Sequence, residues 1–336
     1  MWRFEKEVQA AWSAADKWVK DKEGAIAEQW NNDSTQLAMR YNSRSISELL
    51  SHKDMYPSIP VIYWVADAVG WHDSSALFDI STGAFLAYLF IRLQDDIMDS
   101  QAETTGGLLV GNVCLEGFYS RYRKHFPSDH NFWEVWNDLM ERYSESTLWE
   151  LRKRKEERVV FSTCDLEKLG DKFLPAAAPP AAVAYLSGDD HLIEPIIELT
   201  TSLGRGLQLV NDHTGLVHDF ETGNYTSVIN DILWGVPKNR RMEELAFPHR
   251  TLITDAMERN LRRSKIFFRC ATATAQKHKI PHVSEYVSQH EQYLNGEIAR
   301  LECIREQARA MDREEPQPQI SALITAVTQH TAQNGK

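Results

Sequence analysis

The sequence has little cysteine and no pair of cysteines at the spacing of a metal or redox site. The four cysteines among 336 residues lie far apart, at Cys114, Cys164, Cys270 and Cys303. Such spacing is not typical of a disulfide framework or of a zinc site built on cysteine pairs. We therefore expect a reducing, cytoplasmic setting for this chain.

Long apolar runs and an excess of positive charge are also absent. The apolar stretches 83–91 and 173–186 are short or interrupted by prolines, so we expect no membrane span. The N-terminus is charged and lacks the apolar segment of a signal peptide. Lys and Arg total 37 against 48 Asp and Glu, a net charge of -11. Because phosphate backbones attract basic surfaces, this balance disfavours nucleic acid as a partner.

Helical periodicity dominates what is present. Apolar residues recur at intervals of three and four, whereas the alternation typical of strands is scarce. The pattern predicts an all-α protein with one helical domain over residues 1–311 and a polar tail over 312–336. Three prolines should bend or interrupt the helix that contains them: Pro175, Pro179 and Pro180. The predicted helices cover residues 5–28, 76–100, 107–125, 131–157, 166–186, 191–220, 250–278 and 283–311.

An acidic motif, Gln94-Asp95-Asp96-Ile97-Met98-Asp99, ends a very apolar predicted helix. Asp95 and Asp99 are four residues apart, so both carboxylates lie on one helix face. Like charges at a helix C-terminus repel each other and oppose the helix dipole, which a bound cation would relieve. Carboxylate oxygens suit Mg²⁺, which also takes water and phosphate oxygens. The alternative is a solvated acidic helix end.

A second polar motif runs from Asn211 through Asp212 to Asp219. Asn211, Gly215 and Asp219 follow one another at intervals of four, which places them on one helix face. Glycine is costly inside a helix, so Gly215 indicates that a hydrated ion or a diphosphate approaches the backbone there. The alternative is a polar stripe on a surface helix.

Together the two motifs resemble those of the class I terpene synthases in the isoprenoid synthase superfamily. Asp95-Asp96-Ile97-Met98-Asp99 is similar to their first aspartate-rich motif, and the segment 211–219 resembles their second motif, (N,D)Dxx(S,T,G)xxxE. The helix before Asp212 resembles the G-x-x-FQxxDD helix of the trans-prenyl diphosphate synthases. The resemblance covers residues 61–311. It implies an isoprenoid-synthase helical bundle around a central active-site cavity, and it allows a homodimer.

The resemblance also implies a ligand set for three Mg²⁺ ions and a prenyl diphosphate. The implied metal ligands are Asp95, Asp99, Asn211 and Asp219. The residues placed around those ligands are Asp96, Asp212 and Gly215. The basic residues that would bind diphosphate are Lys172, Lys168 and Arg92. The aromatic residues that would line the cavity are Tyr88, Phe85 and Phe90. Each has a simpler alternative: a solvated lysine, an arginine paired with a carboxylate, or an aromatic residue in the core.

Departures from the relatives' patterns guide the predicted activity. Residues 100–106 contain no arginine, and the N-terminal Gly-Lys-Arg signature of chain-elongating synthases is missing. In those relatives the basic groups anchor a homoallylic diphosphate by charge-assisted hydrogen bonds. Asp219 and Gly215 also depart from the Glu and the Ser or Thr that terpene cyclases usually have. We therefore predict a carbon–oxygen lyase, a terpene synthase that converts a C15 or C20 allylic prenyl diphosphate to a hydrocarbon or alcohol.

Three other functions stay open at this point. A prenyltransferase that joins an allylic prenyl group to an acceptor would keep both motifs and also lack the arginine anchor. His218-Asp219 prompts a helical metal phosphohydrolase, although the twelve histidines form no clear ligand set. An inactive partner subunit of a prenyl synthase is a third alternative, but such subunits commonly lose the aspartates that this chain retains.

Overall fold

The structure is a computed structural model that describes residues 4–40, 58–99, 105–234 and 246–311. Helices make up its secondary structure and these ranges contain no strand, which confirms the predicted all-α fold. The tail over 312–336 and most of the segment 100–106 lie outside the described residues. The α-helices are α1 Glu5–Lys20, α2 Gly24–Arg40, α3 Ser58–Val69, α4 Ser74–Met98, α5 Gly107–Tyr122, α6 Phe132–Lys153, α7 Thr163–Gly170, α8 Ala178–Ser187, α9 Ile193–Thr214, α10 Leu216–Glu221, α11 Ser227–Leu233, α12 Ala246–Ile253, α13 Ala256–Lys277 and α14 Val283–Met311.

Some predicted helices are interrupted where the backbone chemistry changes. The predicted helix 166–186 is in fact α7, a 3₁₀ segment over Asp171–Ala177 and α8, with Pro175 inside the 3₁₀ segment. Proline lacks the N–H that an α-helix needs, which explains the interruption. The predicted helix 191–220 is divided at Gly215 into α9 and α10. The predicted helix 5–28 ends earlier, because Glu23 and Gly24 both have positive φ.

The chain forms two compact units. Unit 1 comprises Met1–Glu141, Leu174–Thr200 and Ala275–Pro281, and unit 2 comprises Arg142–Phe173, Thr201–Thr274 and His282–Lys336. The described residues of both units are helical, as the periodicity predicts. The predicted domain limits themselves stay a prediction.

Helix α4 is the buried centre of unit 1. Its N-cap Asp73 accepts hydrogen bonds from the backbone N–H groups of Ser75 and Ala76, which fixes the start of the helix. Gly83 lets the ring of Tyr122 approach so closely that a β-carbon would lie 2.5 Å from its Cε2. By length and composition alone α4 could cross a membrane, but 78% of its most apolar window is buried inside the protein, as in a core helix.

Close packing defines the environment of the second motif in unit 2. A β-carbon at Gly204 would overlap the side chain of Phe173, and one at Gly206 would lie 2.9 Å from the ring of Phe268. Ser264 on α13 donates a hydrogen bond of 2.8 Å to the carbonyl oxygen of Gly206. These glycines let α9 approach both the segment that carries Lys172 and the helix α13.

Candidate functional site

The first motif lies at the end of α4, in unit 1. The backbone N–H of Asp99 donates to the carbonyl oxygen of Asp95 at 2.8 Å, so the two aspartates are one helical turn apart on the same face. Asp95 is partly exposed, whereas Asp96 is buried. The motif therefore presents two carboxylates at a partly open helix end and a third within the protein.

Arg92 contacts the carboxylates of this motif. One guanidinium nitrogen lies 3.1 Å from Asp95 Oδ2 and the other lies 3.0 Å from Asp96 Oδ1. The structure thus shows the carboxylate pairing that stood as the alternative to diphosphate binding. Its predicted role at a diphosphate stays a prediction.

The three aromatic residues of α4 differ in burial. Phe85 is buried edge-on against Trp12 of α1, with ring centroids 5.5 Å apart. Phe90 is buried against Gly111 of α5. Core packing accounts for both positions, which favours the core alternative for them. Tyr88 is half-buried, and the cavity role of all three stays a prediction.

The second motif lies at the junction of α9 and α10, in unit 2. Hydrogen bonds of 2.8 Å from Gly215 N–H to the Asn211 oxygen and of 2.9 Å from Asp219 N–H to the Gly215 oxygen continue the helical pattern through the junction. A β-carbon at Gly215 would lie 3.1 Å from Asp219 Oδ2. Asn211 is exposed and Asp219 is half-buried. Asn211, Gly215 and Asp219 therefore share one face, as their spacing predicts.

Asp212 is buried beneath that face. Gln208 donates a hydrogen bond of 2.9 Å to its carboxylate. The pKa of Asp212 is raised to about 6, chiefly by burial and also by the nearby Glu150 carboxylate, against the opposing charges of Arg154 and Lys172. Asp212 is thus an acid whose charge is costly inside the protein.

Sequence reasoning missed a cluster of charged residues around Asp212. Both oxygens of the buried Glu150 are engaged: Oε1 lies 2.7 Å from Arg154 Nη2, and Oε2 lies 2.5 Å from Lys172 Nζ. We call Glu150, Arg154, Lys172 and Asp212 the buried charge cluster. The sequence signal was weak, because a Glu and an Arg four residues apart are typical of an ordinary pair on a solvated helix face.

The contacts of Lys168 are with residues outside the buried charge cluster. Its ammonium is 5.6 Å from the ring centroid of Trp149, and its carbonyl oxygen accepts a hydrogen bond from Ser146. The α-helix α7 ends at Gly170, so Lys168 lies on α7 whereas Lys172 belongs to the 3₁₀ segment. Their roles at a diphosphate stay predictions.

A second buried ion-pair network joins the motif helix to α14. His213 Nε2 lies 3.2 Å from Glu297 Oε1, and Arg300 donates to both carboxylate oxygens. Burial raises the pKa of Glu297, but the hydrogen bonds from Arg300 and His213 outweigh it and hold the pKa at about 2. The network attaches the end of α9 to the long terminal helix.

The donor set fits Mg²⁺ better than a metal held by protein side chains alone. Among the described residues, no group of three or more His, Cys, Asp or Glu side chains converges on one point. Each motif instead offers two oxygen donors: Asp95 with Asp99, and Asn211 with Asp219. Mg²⁺ commonly takes one or two carboxylates and completes its shell with water and substrate phosphate. His218 and Asp219, which prompted the phosphohydrolase alternative, belong to no such group among these residues.

Comparisons with known proteins identify similar folds but no sequence relative. No family model matches the chain, and no curated protein matches it. A geranylgeranyl pyrophosphate synthetase from the archaeon Geoglobus acetivorans matches with a TM-score of 0.63 at 14% identity, over 87% of this chain and 98% of that one. A polyprenyl synthase from Caulobacter crescentus CB15, complexed with calcium and isoprenyl diphosphate, matches with a TM-score of 0.64 at 15% identity, over 86% and 97%. An octaprenyl pyrophosphate synthase from Helicobacter pylori matches with a TM-score of 0.62 at 12% identity, over 85% and 98%.

These neighbours correct the predicted enzyme class. They are prenyl transferases, and none is a lyase, so the prediction of a carbon–oxygen lyase is wrong. Calcium and isoprenyl diphosphate in one of them are consistent with the expected use of a divalent metal by this fold. At these identities the likeness concerns the fold. The chain has the all-α fold of the trans-prenyl diphosphate synthases.

Proposed function

We propose that this protein is a prenyltransferase, which moves a prenyl group from an allylic prenyl diphosphate to an acceptor. The observation that carries the proposal is the pair of aspartates, Asp95 and Asp99, on one partly open helix face within the fold of prenyl synthases. Two carboxylates so placed, with an acidic chain overall, need a cation before an anionic diphosphate can approach. The second motif adds a further pair of oxygen donors.

The chain's own residues have separate tasks in this proposal. Asp95 and Asp99 hold metal at one motif, and Asn211 and Asp219 hold it at the other. Bound Mg²⁺ supplies charge neutralisation for the departing diphosphate. Lys172 contributes a positive charge at the diphosphate, which stabilises the negative charge that develops as the carbon–oxygen bond breaks. The proposal also includes three Mg²⁺ ions and a prenyl chain of C15 or C20.

The acceptor in this proposal is a molecule without a diphosphate. An elongating synthase has to bind two diphosphates, and the second needs its own basic anchor. The segment 100–106 offers no arginine for that purpose. A neutral, apolar nucleophile needs no such anchor, so the sequence favours it over isopentenyl diphosphate.

The test measures whether diphosphate release depends on an acceptor. The protein is incubated with Mg²⁺ and labelled C10, C15, C20 or C25 allylic diphosphate, alone and with isopentenyl diphosphate, indole or a phenol as probe acceptors. We expect release to rise with an aromatic acceptor, a prenylated acceptor to appear by mass spectrometry, and both to vanish in EDTA.

Two outcomes would contradict parts of this proposal. Rapid release from the allylic diphosphate alone, with a hydrocarbon as product, would overturn the transferase. Formation of a longer prenyl diphosphate from isopentenyl diphosphate would be consistent with a transferase, but it would contradict the proposal of a neutral acceptor. The Asp95→Ala variant is the control for release that does not come from this site.

A further inference from the structure

The buried charge cluster contains a carboxylate for which the proposed function has no use. Glu150 lies near the end of α6 with its side chain 4% exposed, and it touches two cations at once. Lys172, one of these cations, is the proposed diphosphate ligand. A negative charge beside a cation intended for an anionic substrate opposes binding, so its presence calls for an explanation.

We propose that Glu150 is a positioning residue that acts as the resting counter-ion of Lys172 and lowers the affinity of the site for diphosphate. This inference rests on the proposed function and deepens it. Glu150 Oε2 lies 2.5 Å from the Lys172 ammonium. When a diphosphate binds, its oxygens compete with Glu150 for that ammonium, and Glu150 takes it back when diphosphate leaves.

Arg154 makes such an exchange feasible. Removing one partner from a buried ion pair is strongly unfavourable, because it leaves an uncompensated charge away from water. Glu150 has a second cation, Arg154, at 2.7 Å on its other oxygen, four residues later in the chain. When Lys172 turns to a diphosphate, Glu150 therefore still has a charged partner.

Backbone hydrogen bonds hold the main chain at Arg154 in place. The N–H of Arg154 donates to the Glu150 carbonyl oxygen at 2.8 Å, and the Arg154 carbonyl oxygen accepts from the N–H of Tyr225 at 2.8 Å. Lys172 sits instead on a 3₁₀ segment, and an ammonium on a four-carbon stem can turn. The arginine is thus the fixed partner of Glu150 and the lysine the exchangeable one.

Charge balance supports the same assignment. With Glu150 and Asp212 negative and Arg154 and Lys172 positive, these four groups have no net charge. Loss of the Glu150 charge would leave one excess positive charge among them. A bound anion, such as the substrate or product, would neutralise that charge.

The test is the binding of inorganic diphosphate to the whole protein with Mg²⁺ at pH 7.5, measured by titration calorimetry. Glu150→Gln keeps the length and removes the charge, and we expect the Kd for diphosphate to fall about tenfold. We expect no such tightening when Lys172→Met is also present, because Glu150 acts through Lys172. Glu291→Gln, which removes the same charge from a pair with the exposed Arg269, is the matched control and should leave Kd unchanged.

A purely structural Glu150 gives the opposite result. Unchanged or weaker diphosphate binding by a folded Glu150→Gln protein would overturn the inference, as would equal tightening with and without Lys172. If Glu150→Gln does not fold, Glu150→Asp decides: it keeps the charge but retracts it from Lys172, and it should tighten binding by a smaller factor. If neither variant folds, or if Glu150→Asp does not tighten binding, Glu150 is a structural ion pair and the inference is wrong.

This experiment separates the inference from the proposed function. If the unaltered protein does not bind diphosphate with Mg²⁺, the proposed function fails. If the unaltered protein binds diphosphate and Glu150→Gln does not tighten it, only the role of Glu150 fails.

Discussion

Replacement of Asp212 by asparagine should stabilise the metal-free protein at neutral pH, although it removes a charge from the second motif. Asparagine has nearly the shape of a protonated aspartic acid, and its oxygen can still accept the hydrogen bond from Gln208. The variant therefore approximates the folded protein with a neutral Asp212. The difference in free energy of unfolding between the variant and the parent protein therefore measures the free-energy cost of the buried charge.

The magnitude follows from the pKa of Asp212, which burial raises from 3.8 to about 6. Between these values the folded protein binds more protons than the unfolded chain, so the free energy of unfolding falls as pH rises. Each pKa unit corresponds to about 1.4 kcal/mol, so the full cost of about 3 kcal/mol is present above pH 6. Near pH 4 the folded state is protonated and the unfolded chain is only about half ionised, so most of the cost is absent.

The assay is urea unfolding in EDTA, followed by circular dichroism at pH 4.0 and pH 7.5. We expect the free energy of unfolding of Asp212→Asn to exceed that of the parent protein by about 3 kcal/mol at pH 7.5 and to be close to it at pH 4.0. The control Asp129→Asn removes the same charge from an exposed turn and should differ little at either pH. Equal or lower stability of Asp212→Asn at pH 7.5, or a difference independent of pH, would refute the reasoning.

Three further predictions concern turnover and packing. Asp95→Ala should abolish Mg²⁺-dependent diphosphate release, because it removes a charged metal ligand; residual release above that in EDTA would contradict this role. Lys172→Met should lower turnover roughly ten- to a hundredfold, because it removes a charge-assisted contact worth about 1.5–3 kcal/mol. Lys168→Met should lower turnover by a smaller factor, and steady-state kinetics on both variants can establish the order. Gly204→Ala should lower the free energy of unfolding by about 1–3 kcal/mol, because its β-carbon would overlap Phe173; an unchanged urea midpoint would show that the helices can move apart.

The missing arginines led to the wrong enzyme class. Their absence concerns the anchor of a second diphosphate, whereas the aspartate-rich motifs concern ionisation of the first, a step that lyases and transferases of this resemblance share. The sequence could therefore indicate the chemistry at the allylic diphosphate. The missing arginines do not distinguish cyclisation from transfer to an acceptor without a diphosphate, and the structural neighbours, which are transferases, made the correction.

The sequence by itself determined the features that follow from a single helix. The period of apolar residues predicts the all-α fold, and a spacing of four places Asp95 with Asp99 and Asn211 with Asp219 without any knowledge of tertiary contacts. Helical hydrogen bonds at both motifs bear out these shared faces.

The tertiary structure decided what depends on distant parts of the chain. Lys172 meets Glu150 across 22 residues, and Asp212 lies near both because the glycines of α9 permit close packing of that helix on the lysine segment. A Glu and an Arg on one helix can be exposed to solvent or buried, and which of the two holds depends on what packs over them. Their spacing is the same in either case, so packing alone converted an ordinary pair, Glu150 and Arg154, into a buried charge cluster.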